Sequence, residues 1–205
     1  MLKPSERRSA RNRQAILDAA VEIITEEGVA ALSMRALADR IDYSTGALYE
    51  YFAGKDDILA AACTQGHVRL LAYMSAPDTS MPVDAYLVEI GLAYIRFATE
   101  NPDYFLLMFT MPPPEMAPGP EDVEMPLAPP QSAYAILQGA IARGIADGTF
   151  PASPGFGVLE MSYASWGIVH GIAMLRVTYL RRYPGELEAV DRLALQAFVR
   201  GLSCA

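Results

Sequence analysis

Residues 32–55, LSMRALADRIDYSTGALYEYFAGK, contain two short amphipathic segments that lie close together in the chain. In the first segment Leu37 and Ile41 are four residues apart, and in the second Leu48 and Phe52 have the same spacing. This spacing predicts two short helices, each with one narrow apolar stripe. With a tight turn between them, they have the layout of a helix-turn-helix, a motif whose second helix lies in a DNA major groove.

Local signals mark where the two helices begin. Ser33 and Ser44 are predicted N-caps, because a serine hydroxyl can accept a hydrogen bond from a free amide of the first helical turn. We expect the second helix to run over residues 45–51. Gly46 in its first turn lowers helix stability. The missing side chain, however, lets a sugar-phosphate backbone approach closely.

The chain before the motif adds a third helix and a basic arm. Residues 1–13 hold five basic side chains and one acid, which predicts a flexible basic arm. From Gln14 to about Glu27 apolar residues repeat at helical spacing, and Gly28 is a natural stop. We therefore expect a DNA-binding domain over residues 1–55, with residues 56–205 forming a second domain. A solvated, disordered terminus is the alternative interpretation of the arm.

The motif resembles the helix-turn-helix of the TetR family of transcriptional regulators. The matching residues are the segment SMRALA at 33–38, the spacing Gly46-x-Leu48-Tyr49-x-x-Phe52-x-x-Lys55, and Leu59. Asp42 stands where the family often has glycine, and Tyr43 stands where a smaller apolar residue is usual. Asp42 can also adopt the left-handed backbone conformation of glycine. The resemblance implies an all-α fold and a role in transcription regulation.

The predicted DNA-contacting residues come from the arm, the caps and the second helix. They are Arg11, Ser33, Arg35, Ser44, Thr45, Gly46, Ala47, Tyr49, Tyr51 and Lys55. We expect Thr45 and Gly46 to face the bases or their backbone, and Tyr49, Tyr51 and Lys55 to contact phosphates or groove edges. Phosphate contacts position a protein on DNA, and base contacts give specificity.

The charge distribution is compatible with DNA binding. The formal net charge is −8, but residues 1–55 hold eight basic and eight acidic side chains, so the net negative charge lies in the remainder. An acidic second domain joined to a neutral, locally basic one predicts weak non-specific DNA binding. Cys63 and Cys204 form no pair motif, and no metal-type cluster is visible, so neither a metal nor a cofactor is expected. Without a signal peptide or membrane span, the expected location is the cytoplasm.

Residues beyond 55 predict a helical domain with one interruption. The interruption is residues 112–130, which hold eight prolines and four acids. Proline at this density excludes a helix or a central strand. Two interpretations stay open for this loop, a linker and a lid near a ligand pocket, and the linker is favoured.

The last two predicted helices suggest a homodimer. The final helix, over residues 185–202, has two apolar faces, which suggests core on one side and a partner on the other. The preceding helix carries the small residues Gly167 and Gly171, which let another helix approach closely. This pair resembles the helices through which TetR-family subunits dimerise. Trp166 and His170 with Gly171 also resemble a ligand-domain type of the family marked by Trp-x-x-x-His-Gly.

A ligand pocket is expected in the second domain. Its predicted lining is Phe97, Tyr104, Phe105, Met108, Trp166, His170 and Met174. None of these residues is a lysine or arginine that could balance a buried anion, so the pocket suits a hydrophobic, uncharged effector. Ordinary core packing is the competing interpretation of the same residues. For His170, a structural role is favoured over a polar anchor, and no catalytic residue is predicted.

These observations favour a ligand-responsive repressor. The predicted partners are double-stranded DNA carrying a palindromic operator, a small apolar effector, and a second copy of the chain, without a membrane. A small all-helical enzyme is the first alternative, although no nucleophile–base pair or phosphate loop supports it. A helical adaptor that uses the acidic proline-rich loop is the second.

Overall fold

The computed structural model describes residues 3–110 and 132–204, and this part of the chain is all-α, as predicted. A single turn of 3-10 helix, Val29–Ala31, lies between the first two helices. The helices are α1 (Pro4–Glu27), α2 (Met34–Arg40), α3 (Thr45–Leu48), α4 (Lys55–Met74), α5 (Val83–Glu100), α6 (Pro102–Thr110), α7 (Ala133–Ala146), α8 (Val158–Val177) and α9 (Glu188–Leu202). The predicted proline-rich loop at 112–130 lies outside the described residues. No described helix is both long and apolar enough to cross a membrane.

Helix α1 begins ten residues earlier than Gln14, so the prediction of a flexible arm was wrong. Pro4 occupies the first helical turn, where its fixed φ is already helical and its missing N–H is not needed. The backbone N–H of Lys3 donates to Oε2 of Glu6 at 2.7 Å and completes the cap. Gly28 ends α1 as predicted, with a φ of 86°.

The described chain divides into two compact units. The first consists of residues 3–66 and 103–110, and the second of residues 67–102 and 132–204. The first unit therefore contains α1 to α3, the beginning of α4 and nearly all of α6. The boundary predicted after Lys55 falls at the start of α4, upstream of the point where the units divide.

In the first unit, α6 packs closely against α4. A Cβ atom on Gly66 would lie 2.3 Å from Sδ of Met108, so alanine at this position would force the Met108 side chain to shift. The Tyr104 hydroxyl on α6 donates to Oδ1 of Asp18 on α1 at 2.8 Å and lies 3.3 Å from Oε1 of Gln65 on α4. Buried tyrosine hydroxyls need such partners, so these contacts tie α6 to both helices.

In the second unit, α5 packs against α7, α8 and α9. Ile90, Phe97 and Ala98 are fully or almost fully buried along it, which explains why α5 is apolar on most of its faces. An ion pair joins Arg192 of α9 to Glu89 of α5. This unit therefore has a core of its own.

Candidate functional site

The predicted helix-turn-helix is present in α2 and α3. Oγ of Ser33 accepts the amide of Ala36 at 3.1 Å, and Oγ of Ser44 accepts the amide of Ala47 at 3.2 Å, so both predicted caps are confirmed. Asp42 in the connecting turn has a φ of 55°, as expected for a position that often holds glycine. Two short helices are thus fixed at their starts by their own side chains.

The second helix of the motif is shorter than predicted. It ends at Leu48, and residues 49–51 form turns. Leu48 and Phe52 are buried, whereas Thr45, Gly46 and Tyr49 are exposed, with Tyr49 exposing 56% of its surface. A Cβ on Gly46 would meet nothing closer than Oγ of Ser44 at 4.0 Å. The outward face of α3 is therefore open and nearly free of bulky side chains at its start.

The remaining predicted DNA contacts surround α3. Arg11 and Arg35 are exposed, and the structure gives neither an ion pair within the described residues. Nζ of Lys55 donates to the carbonyl oxygen of Val29 at 2.6 Å. An ammonium has three donors, so this bond positions the Lys55 head group and leaves further donors on it.

Two functional candidates in α1 were not predicted. Nδ2 of Asn12 donates to the hydroxyl of Tyr51 at 3.0 Å, and the guanidinium of Arg13 lies 4.2 Å from the centroid of the Phe52 ring. Both contacts join α1 to the turn that follows α3, some forty residues away in the chain. Contacts at this sequence separation leave no periodic signal in the sequence.

The predicted ligand-lining residues are distributed over both units. Tyr104, Phe105 and Met108 belong to the first unit, whereas Phe97, Trp166, His170 and Met174 belong to the second. Within the second unit the structure brings Trp166 and His170 together, with ring centroids 5.8 Å apart. Phe97 is buried against Tyr73, with centroids 5.7 Å apart. A pocket lined by all seven residues stays a prediction.

Four aromatic side chains cluster in the second unit. Nε1 of Trp166 donates to the hydroxyl of Tyr94 at 3.4 Å, and that hydroxyl lies 2.8 Å from Nδ1 of His170. The Tyr94 hydroxyl thus joins the indole N–H of Trp166 to the imidazole of His170. The Tyr134 ring lies 5.7 Å from that of Trp166. We call Tyr94, Tyr134, Trp166 and His170 the aromatic cluster.

Burial keeps the aromatic cluster uncharged. It lowers the pKa of His170 below its ordinary value, so the imidazole is neutral at pH 7. It raises the pKa of Tyr94 and of Tyr134, so both phenols stay protonated. The Tyr134 hydroxyl is buried and has no hydrogen-bond partner in the described part of the chain. The cluster thus offers polar atoms without charge.

Tyr94 and Tyr134 were missed as site candidates. Tyr94 follows the apolar spacing of α5, so its sequence position is typical of a core residue. Tyr134 is at the second position of α7, next to the segment outside the described residues. The sequence signal for both residues was a tyrosine at a position expected to be buried. A buried phenol needs a hydrogen-bond partner, so such a tyrosine indicates a polar contact inside the unit.

The capped pair α2–α3 and the open face of α3 define a helix-turn-helix DNA-binding regulator. Family models agree. Residues 16–62 match the model for bacterial regulatory proteins of the tetR family, and residues 87–198 match a tetracyclin repressor-like C-terminal domain. The chain belongs to the TetR family. This family consists of transcriptional regulators.

Individual relatives show the same relationship over shorter stretches. The chain is 32% identical over 93 residues to an uncharacterized HTH-type transcriptional regulator, YobS, of Bacillus subtilis, a match that covers 45% of this chain and 49% of the relative. It is 46% identical over 50 residues to the HTH-type transcriptional repressor KstR of Mycobacterium tuberculosis, covering 24% and 23%. The chain thus spans half or less of these curated relatives.

A solved structure shows the fold over nearly the full length. The TetR family transcriptional regulator PfmR of Thermus thermophilus is similar with a TM-score of 0.69 and 21% identity. The match covers 91% of this chain and 98% of that one. TetR-family regulators bind DNA and small-molecule effectors and act as dimers.

Proposed function

We propose that this chain is a ligand-responsive repressor that binds a palindromic operator as a homodimer and leaves it when a small, uncharged, apolar effector binds. The observation that carries the DNA-binding half is the open face of α3, held in place by the Ser33 and Ser44 caps. The uncharged aromatic cluster supports the effector half. The site of action is the cytoplasm, where a bacterial operator lies.

On the operator, α3 lies in the major groove. Thr45 and Gly46 face the bases, because they form its exposed first turn. Tyr49, Tyr51 and Lys55 contact phosphates, and the remaining contacts come from Arg11, Ser33, Arg35, Ser44 and Ala47. Replacing Lys55 with alanine should weaken binding to all sequences and reduce the salt slope by about one unit for each Lys55–phosphate contact. An unchanged salt slope would remove Lys55 from the set.

A second copy covers the outer faces of α8 and α9. Both helices expose large apolar side chains, namely Tyr163, Ile168, Leu175, Val190 and Leu193. Gly167 and Gly171 are exposed and would have no atom within 4 Å of an added Cβ, so their face of α8 is open to another helix. Large exposed apolar side chains on two neighbouring helices are typical of an interface.

Two substitutions on α9 separate interface from core. Leu193 is 62% exposed, so Leu193→Glu should give a folded monomer in light scattering. Val199 is 5% exposed, so Val199→Glu should destabilise the second unit itself. Phe198, next to it, is half-buried and should give an intermediate result. A wild-type protein that is monomeric at micromolar concentration would refute the dimer and two-fold operator binding together.

The effector binds at the aromatic cluster. Its lining offers aromatic faces and hydroxyl or imidazole anchors without a cation, which suits an apolar, uncharged molecule. Trp166 is the only tryptophan, so its fluorescence reports binding directly. Compounds that quench Trp166 should also lower DNA affinity, because a ligand shifts the equilibrium through its different affinity for the two states. Quenching without any change in DNA affinity would refute the coupling, and binding of anions alone would refute the polarity.

Repression is favoured over activation by the short match to a repressor. The test is a gel shift with the DNA that flanks the chain's own gene, followed by a reporter driven from the bound fragment. Deleting the regulator should raise reporter expression. A fall in expression would make the protein an activator and leave the DNA-binding proposal standing.

A further inference from the structure

Helix α1 carries a basic surface of which the DNA contacts proposed above include only Arg11. Arg7, Arg8 and Arg11 are exposed, and the structure gives none of them an ion pair within the described residues. Arg7 and Arg11 are four residues apart, and Arg8 and Arg11 are three apart, so the three side chains are neighbours on one side of the helix. We call them the arginine patch.

The patch is held on a helix and not on a flexible tail. Pro4 and the bond from Lys3 to Glu6 start α1 before the first arginine. Like charges at these spacings destabilise a helix slightly, because they repel one another. A ligand that neutralises them would remove that repulsion, and the phosphates of a DNA strand carry the required negative charge.

Contacts further along α1 connect the arginine patch to the turn that follows α3. Asn12 donates to the hydroxyl of Tyr51, and Arg13 lies over the ring of Phe52, so this turn of α1 adjoins the end of the segment that carries α3. Residues 3–11 are all exposed, so the turns that precede Asn12 project from the body of the unit. From Pro4 to Asn12 the helix rises by about 12 Å.

We propose that Arg7 and Arg8, with Arg11, bind phosphates that flank the major-groove site of α3, and that Asn12 and Arg13 position this helical arm. The inference rests on the proposed function and adds two DNA-contacting residues to it. The occupant is the DNA backbone, since a patch of guanidinium groups recognises phosphate oxygens without reading base sequence. The arm then extends the footprint beyond the bases that α3 contacts.

The first experiment compares matched charge changes in the full chain. A duplex selected by the wild-type protein from a random double-stranded library serves as the operator. The double variant Arg7→Ala, Arg8→Ala should reduce the slope of log Kd against log salt by roughly 0.9 for each phosphate that is no longer neutralised. In a dimer both subunits carry the change, so the lost phosphate contacts are counted for both. Arg181→Ala with Arg182→Ala removes the same charge from exposed residues of the second unit and should leave the slope unchanged. Equal slopes for the two double variants would overturn the inference.

The second experiment tests where the contacts lie. The same duplex is shortened step by step at both ends until only the bases protected by α3 remain. The wild type should lose affinity on the shortened duplex and then match the Arg7→Ala, Arg8→Ala variant. A variant that stays weaker than the wild type on the shortest duplex would overturn the flanking position. If the selection enriches no duplex at all, the proposed DNA-binding function itself fails. If a duplex is enriched but the variants behave like the wild type, only the arginine-patch inference fails.

The third experiment tests the helical arm itself. Ala10→Pro keeps every charge but separates residues 4–9 from the rest of α1, because proline is tolerated only in the first turn of a helix. The arm must then be ordered on binding, and we expect a loss of about tenfold or more in affinity. Ala10→Gln, a good helix former at the same exposed site, should change affinity by less than about twofold. Equal affinities for the two variants would overturn the helical arm and leave the charge test to decide the rest.

Discussion

Replacing Tyr104 with phenylalanine removes one oxygen atom and tests whether α6 is held by polar contacts. The hydroxyl donates to Oδ1 of Asp18 at 2.8 Å and lies 3.3 Å from Oε1 of Gln65. The Tyr104 side chain is 5% exposed, so water cannot easily replace the missing group. Asp18 keeps its bond from Nε2 of Gln14 at 2.9 Å, so the carboxylate is not left without any donor.

The expected cost follows from the type of bond. A hydrogen bond to a carboxylate contributes about 1.5–3 kcal/mol, and the remaining donor to Asp18 moderates the loss, so we expect about 2 kcal/mol. That free energy corresponds to a roughly 30-fold loss of hydrogen-exchange protection for the amides of α1 and α6. For a chain of this length it also lowers the midpoint of thermal unfolding by about 4–8 °C.

The chain provides a matched control for this measurement. Tyr134→Phe removes the same atom from a buried hydroxyl that has no hydrogen-bond partner in the described part of the chain. Since an unpaired buried hydroxyl is unfavourable, this variant should unfold at an unchanged or higher temperature. If Tyr104→Phe left the protection of α1 within about threefold of the wild type, the polar attachment of α6 would be refuted.

Three further changes have definite expected outcomes. Ser44→Ala removes the acceptor for the amide of Ala47 and should cost about 1 kcal/mol in unfolding experiments together with a loss of operator affinity. Burial lowers the pKa of His170, so as pH falls below about 6.5 the unfolded chain binds a proton first and stability should decrease until the lower folded pKa is reached. The variant His170→Gln should show a smaller decrease in chemical unfolding at pH 7 and pH 5. Gly144→Ala would place a Cβ atom 2.1 Å from the buried ring of Phe150 and should cost about 1–3 kcal/mol, measured by urea unfolding.

Local signals predicted the helix-turn-helix well. Ser33 and Ser44 cap their helices through amides three residues away, and Leu48 is buried at the spacing expected. Each of these features depends on a few neighbouring residues, so a single sequence contains the information. The end of α3 was predicted too late because the apolar spacing to Phe52 continues through turns as well as through a helix.

The start of α1 was predictable but was missed. Pro4 followed by Glu6 is a recognised helix start, and the dense basic charge was interpreted as disorder instead. The aromatic cluster was harder to find. Tyr94 and His170 are 76 residues apart, and their hydrogen bond depends on how α5 and α8 pack. The periodicity of the sequence contains no information about such a pairing. Trp166 and His170 were therefore identified without their hydrogen-bond partner Tyr94.

The position of α6 has a consequence for how such regulators can be recombined. Helix α6 begins about a hundred residues after the start of α1, yet residues 103–110 belong to the same compact unit as α1 and the beginning of α4. A chimaera that takes only residues 1–66 from a relative would combine α1 and the beginning of α4 from that relative with α6 from this chain. The contact of Met108 with Gly66 and the hydrogen bond from Tyr104 to Asp18 would then join residues from two different parent proteins. Modular exchange of DNA specificity therefore requires two separate segments to be exchanged together, residues 1–66 and residues 103–110.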